Sequence, residues 1–111
     1  MNVKTLLGAV LIASVSFAGS AAAESTLDQI KSSKTIRLGY RELSIPFSFV
    51  DDTKQPRGYS IDLCKIVADD VAKELKLDKL DVQWVPVTAQ SRFEALKSGK
   101  IDLECGNSTQ T

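Results

Sequence analysis

Beyond residue 24 the spacing of apolar positions switches between twofold and helical along the chain. "STLDQIKSSK" reads as a short helix with Ser25 or Thr26 at its N-cap. "TIRLGY" alternates Ile36, Leu38 and Tyr40, the twofold period of a strand. "SIPFSFVDD" reads as a second extended piece, kept away from a sheet centre by Pro46, and residues 51–56 form a polar turn. In "GYSIDLCKIVADDVAKELKL" the residues Cys64, Val67, Ala68, Val71 and Leu75 recur at helical spacing and define one apolar face. Ser60 suits the N-cap of that helix, and Asp62 favours its first turn. "LDVQWVPV" predicts a strand from Leu80 to about Val85. "SRFEALKSGK" predicts a short helix with Phe93 and Leu96 inward and Gly99 at its C-terminal cap, and "IDLEC" predicts a last strand.

Strands alternating with helices imply an α/β fold, with a mainly parallel sheet and right-handed crossovers. Ligands of such open sheets bind at the C-terminal ends of the strands. That rule selects Arg41 and Glu42 after the first strand, residues 88–92 after the second, and residues 106–109 after the third. Arg41 and Arg92 thus share an edge with several small polar side chains. An arginine fork matches a carboxylate bidentately, so the edge has the makings of an anion site. The alternative is that the two arginines are ordinary surface cations paired with Glu42 and Glu94, an arrangement that is common and weak.

Composition narrows the chemistry. Residues 1–23 carry one cation, Lys4, then an apolar run over residues 6–17, then Ala21, Ala22 and Ala23, the build of a secretory signal cut after Ala23. The apolar run of 12 residues falls short of the roughly 20 that span a bilayer. With Lys4 removed from the 14 cations, residues 24–111 hold 13 against 14 acids, a net charge of −1. Nothing in that balance favours nucleic acid or an anionic membrane as partner. There is no histidine, which excludes histidine triads, histidine-bound zinc and histidine acid–base chemistry. No cofactor or metal is expected.

Two cysteines, Cys64 and Cys105, permit a disulfide in an exported chain or stand as two buried thiols. Cys64 lies on the inward helix face, and Cys105 shares a strand parity with Ile101 and Leu103. A crossover helix packs over its own sheet, so the two could meet.

The segment "GYSIDLCKIVADDV" resembles the signature of the family 3 periplasmic solute-binding proteins of ABC importers, with Ser60 in place of that pattern's first acid. "GYRELSIPFSFVDD", "PVTAQSR" and "DLECGNST" are similar to its glutamate/aspartate-binding branch. The resemblance implies part of lobe one of a two-lobed, type II periplasmic binding-protein fold, filling residues 24–111. It implies no catalysis, capture of an acidic amino acid in the periplasm, delivery to a permease in the inner membrane, and a monomer when full length. It places Arg41 and Arg92 near the ligand, with Asn107, Ser108 and Thr109 meeting the amino acid. Ala89 and Asn107 stand where relatives often carry serine, which leaves open which amino acid is preferred.

In this family an arginine a few residues beyond the polar loop grips the α-carboxylate, and residue 111 precedes it. The chain is therefore expected to be an N-terminal fragment or a truncated product, and silent towards glutamate and aspartate by itself. The same fold also serves periplasmic dehydratases and the sensing modules of membrane receptors. A dehydratase would need a placed acid–base group, and near the edge only Glu42 and Glu104 offer one. Glu104 is expected instead to neutralise an arginine from behind.

Overall fold

The structure, a computed structural model, describes residues 25–109. The expected export signal and its cut after Ala23 lie outside the described residues. Helix α1 (Thr26–Ser33) begins at Ser25, whose Oγ accepts the Asp28 N–H, and leads into strand β1 (Thr35–Tyr40). Strands β2 (Leu43–Ser44), β3 (Ser48–Val50) and β4 (Pro56–Arg57) follow. Helix α2 (Tyr59–Glu74), strand β5 (Asp81–Pro86), helix α3 (Arg92–Lys97) and strand β6 (Leu103–Cys105) complete the order.

The main sheet has the strand order β5-β1-β6, and both pairings are parallel. Leu38 lies opposite Trp84 on one side and Leu103 on the other, which seats β1 at the centre. The α2 side of the sheet holds Ile30, Ile36, Leu38, Ile61, Cys64, Ala68 and Cys105, all buried. Val87, Ala95 and Ile101 form a smaller cluster that includes α3. Gly39 serves that second layer: a Cβ there would strike Ile101 Cδ1 and sit 3.4 Å from Val87 Cγ1.

Several expectations change. The second extended piece is a hairpin: β2 and β3 pair antiparallel around residues 45–47, with a cis bond before Pro46, and β4 joins β3 to make a separate sheet. Pro46 occupies the turn, where its missing N–H is not needed. On α2, Ile61 is fully buried while Val67 is 42% exposed, so the inward face starts earlier and is narrower than expected. On α3, Phe93 and Leu96 point outward and Ala95 is buried. Six residues make less than two turns, too few for spacing to define a face. Ile101 precedes the last strand and packs with Ala95 and Val87, so it does not share the layer of Cys105.

Helix α2 also starts differently. Its N-cap is Gly58, at φ 128°, and a Cβ on Gly58 would collide with the Phe47 carbonyl. The hairpin comes this close because its carbonyls satisfy the first donors of α2. Tyr59 N donates to Pro46 O at 3.0 Å and Ser60 N to Phe47 O at 2.9 Å. Ser60 is therefore inside the helix and is not its cap.

Candidate functional site

Three loops leave the C-terminal ends of β1, β5 and β6 side by side, as parallel pairing requires. An open cleft of about 580 Å³ lies there, lined by Arg41, Glu42, Leu43, Val87, Thr88 and Gln90 among others. A second hollow, about 440 Å³, opens at the opposite end of the sheet and includes Arg37 and Asp102. Those two charges satisfy each other, so the C-terminal edge is the better candidate for an anionic ligand.

Arg41 is fixed at its backbone and meets one neutral partner at its head. Ser48, fully buried, accepts the Arg41 N–H at 2.8 Å and donates its hydroxyl to the Arg41 carbonyl at 3.2 Å. Through this double contact the antiparallel sheet sets the direction in which Arg41 leaves β1. The guanidinium then donates from Nη1 to Asn107 Oδ1 at 3.2 Å. Ion pairs among the described residues are Arg37–Asp102 and Arg57–Asp51, so Arg41 and Arg92 pair with neither Glu42 nor Glu94. A guanidinium carries five N–H donors, and a single amide oxygen leaves most of them available.

Arg92 opens α3. Its guanidinium lies 4.8 Å from the centroid of the Phe93 ring, and its Nε is buried without a hydrogen-bond partner. Among the described residues no hydrogen bond joins it to Arg41 or to Asn107. The loop before it is stapled by Thr88 and Ser91. Thr88 N donates to Ser91 Oγ at 2.9 Å, and Ser91 N donates to Thr88 Oγ1 at 3.0 Å. These hydroxyls shape the loop and satisfy each other, which makes them poor candidates for gripping a ligand.

Asn107, Ser108 and Thr109 are exposed beside this edge. The segment is anchored just upstream. Ser60 donates its hydroxyl to the Gly106 carbonyl at 2.6 Å, and Cys105 is joined to Cys64 by a disulfide with a Cα separation of 6.2 Å. Glu104 lies opposite Gly39 in the β1–β6 register, and its Oε1 sits against Gly106 on the side of the Arg41 stem. Its Oε1 is buried with no partner, and it forms no ion pair with an arginine among the described residues. The expectation that it neutralises an arginine is thus corrected: Arg41 turns towards Asn107.

Sequence reasoning missed Ser48 and misread Ser60. Ser48 sits between Phe47 and Phe49 with nothing local to mark it, and Ser60 carries an N-cap pattern. Their partners lie 7 and 46 residues away. Among the described residues no group of acids and cysteines could hold a metal ion, and no helix is long and apolar enough to cross a membrane.

Known proteins resemble this chain in sequence and in fold. The glutamate/aspartate import solute-binding protein of Salmonella typhimurium (strain LT2) is 41% identical over 91 residues, 82% of this chain and 30% of that protein. The L-glutamate/L-aspartate-binding protein of Pseudomonas aeruginosa is 41% identical over 108 residues, 95% of this chain and 36% of that protein. The chain spans about a third of the length of the curated relatives it matches.

Among solved structures, an ancestral amino acid-binding protein described as a precursor of cyclohexadienyl dehydratase superposes with a TM-score of 0.67. It is 36% identical, over 78% of this chain and 35% of that one. A variant of the arginine-bound form of domain 1 from TmArgBP superposes with a TM-score of 0.61. It is 28% identical, over 77% of this chain and 60% of that one. The α/β architecture with its parallel sheet is that of the type II periplasmic amino-acid-binding proteins. A profile of the bacterial extracellular solute-binding proteins, family 3, matches residues 36–111, and with the strand-end cleft and its available arginine the conclusion follows that the chain belongs to that family.

Proposed function

We propose that this chain contributes one lobe's share of an amino-acid site, in an exported binding protein that delivers an acidic amino acid to an ABC permease. The observation that carries this reading is Arg41. Its guanidinium stands at the cleft with a neutral partner, Asn107, and no carboxylate among the described residues answers its charge. A carboxylate side chain on the ligand would complete it with two parallel hydrogen bonds. Arg92 adds a second cation, and Asn107, Ser108 and Thr109 supply polar contacts to the amino-acid backbone. Names of relatives that bind glutamate and aspartate support the same choice.

An acid–base enzyme fits less well. Of the two acids it could lean on, Glu42 is exposed at the rim of the cleft and Glu104 has a buried Oε1, and neither side chain is held by a hydrogen bond or ion pair among the described residues. Export to the periplasm rests on the pattern of residues 1–23 and on the family.

The test is an NMR titration of residues 24–111 with L-glutamate, L-aspartate, L-glutamine and L-arginine. The arginine-bound domain 1 among similar structures makes a single-lobe measurement meaningful, against the expectation of silence drawn from the sequence alone. An open, one-sided site is half in water, where charge pairs contribute little, so millimolar responses are expected. The signals of Arg41 and Asn107 should respond to the two acidic amino acids first, to glutamine less, and to arginine least. An equal or stronger response to arginine, or no response to any amino acid, overturns the reading.

A further inference from the structure

We propose that Ser60 and the Cys64–Cys105 disulfide are positioning residues of the amino-acid site, tying the polar loop after β6 to helix α2 so that Asn107 stays within reach of Arg41. The inference rests on reading the cleft as an amino-acid site.

Ser60 and Cys64 lie four residues apart on α2, one above the other on the same face. Each reaches a different one of two consecutive residues at the end of β6. Ser60 Oγ donates to the Gly106 carbonyl at 2.6 Å, and Cys64 is bonded to Cys105. The hydroxyl is available for this contact because the hairpin carbonyls of Pro46 and Phe47 already take the Tyr59 and Ser60 N–H groups. Cys105 is 1% exposed and lies in the main core, so the anchor itself is shielded from solvent.

Gly106 closes the arrangement from the other side. A Cβ there would strike Glu104 Oε1 and stand 3.1 Å from Arg41 Cγ. The residue is crowded between α2 and the stem of Arg41. Asn107 follows at once, and its Oδ1 accepts from Arg41 Nη1 at 3.2 Å. A shift of Gly106 would therefore pass directly to the contact that orients the arginine. Ser108 and Thr109 are exposed, so the loop takes its place from these upstream ties.

The decisive experiment compares wild type, Ser60→Ala and Ser60→Thr, with Cys64→Ser/Cys105→Ser as an independent variant. In the ligand-free chain, the Asn107 side-chain amide signal should shift in Ser60→Ala and return in Ser60→Thr, which keeps the hydroxyl. The double cysteine variant should broaden the same signal. L-glutamate affinity should fall roughly three- to tenfold in Ser60→Ala, the size expected for one hydrogen bond. It should recover in Ser60→Thr. A folded Ser60→Ala with an unchanged Asn107 signal overturns the role of Ser60. A folded double cysteine variant with that signal unchanged overturns the role of the disulfide. If wild type ignores L-glutamate, the functional reading fails, while the ligand-free signals still decide the positioning role.

Discussion

Arg37 lies in the N-terminal half of β1 and Arg41 just past its C-terminal end, and the fold treats them oppositely. Arg37 is committed. Asp102 accepts its backbone N–H at 2.8 Å and its Nη2 at 3.1 Å, and Asp102 N donates back to the Arg37 carbonyl at 2.8 Å. The Asp102 side chain is 5% exposed, so the pair is well shielded from water on the acid's side. Arg41 is held as firmly by its backbone, through Ser48, yet its head meets only an amide. A cation matched by a buried carboxylate within the fold serves the fold. A cation with a fixed root and an unmatched head can serve a ligand. The difference arises along the strand: the N-terminal half of β1 faces the bend that carries Asp102, whereas its C-terminal end faces loops with no acid among the described residues in ion-pair reach of Arg41.

Breaking the committed end should show the largest effect. Asp102→Ala strands Arg37 and removes an acceptor from a main-chain N–H. Losing one partner of a buried pair costs about 3–5 kcal/mol. Arg37 keeps 33% of its side-chain surface in water, which places the loss near about 3 kcal/mol. Urea unfolding of the two proteins measures it, and a loss below about 1 kcal/mol would remove the contrast between the two ends.

Arg41→Ala should do the reverse. With no ion pair to break, its stability change should stay under about 1 kcal/mol in the same unfolding assay. The preference of the titration response for acidic over neutral amino acids should vanish. A destabilisation equal to that of Asp102→Ala would mean that Arg41 belongs to the fold after all.

The smallest effect concerns a third arginine, exposed on β4 beside the turn at residues 51–55. Arg57 donates from Nε to Asp51 Oδ2 at 2.9 Å. The Asp51 carboxyl is held well below the usual carboxylate range, first by the Thr53 hydroxyl, then by the Gln55 N–H, with Arg57 contributing less. Because the folded state lowers this value, the contribution is complete above about pH 4 and fades as pH falls below it. Thermal unfolding of wild type should therefore weaken with acid more steeply than that of Asp51→Asn. Parallel profiles would show that the turn contributes nothing to acid sensitivity.

Residues 35–40 and the long helix were legible because their apolar spacing is strictly local: Ile36 and Leu38 are buried, as are Cys64 and Ala68. The parallel order of the main sheet followed from the alternation of elements, and with it the edge where Arg41 and Asn107 meet. The short antiparallel sheet was not legible. Its strands are two or three residues long, too short for any period. Phe93 and Leu96 were placed inward by the same periodic reasoning, which fails on a helix of six residues.

What the sequence determined by itself was therefore the α/β order and the strand-end edge at which Arg41 and Asn107 meet. Tertiary structure decided what each polar group does there. Ser60 carries the local pattern of a cap, yet Gly58 and two hairpin carbonyls start the helix and release its hydroxyl for Gly106, 46 residues away. Arg37 and Arg41 look alike along the chain, and only Asp102 and Asn107, brought beside them from 65 and 66 residues away, distinguish them. Hydrophobic period is a property of neighbours in sequence. The pairing of a hydrogen bond or a charge is a property of neighbours in space, and those exist only once the sheet has formed.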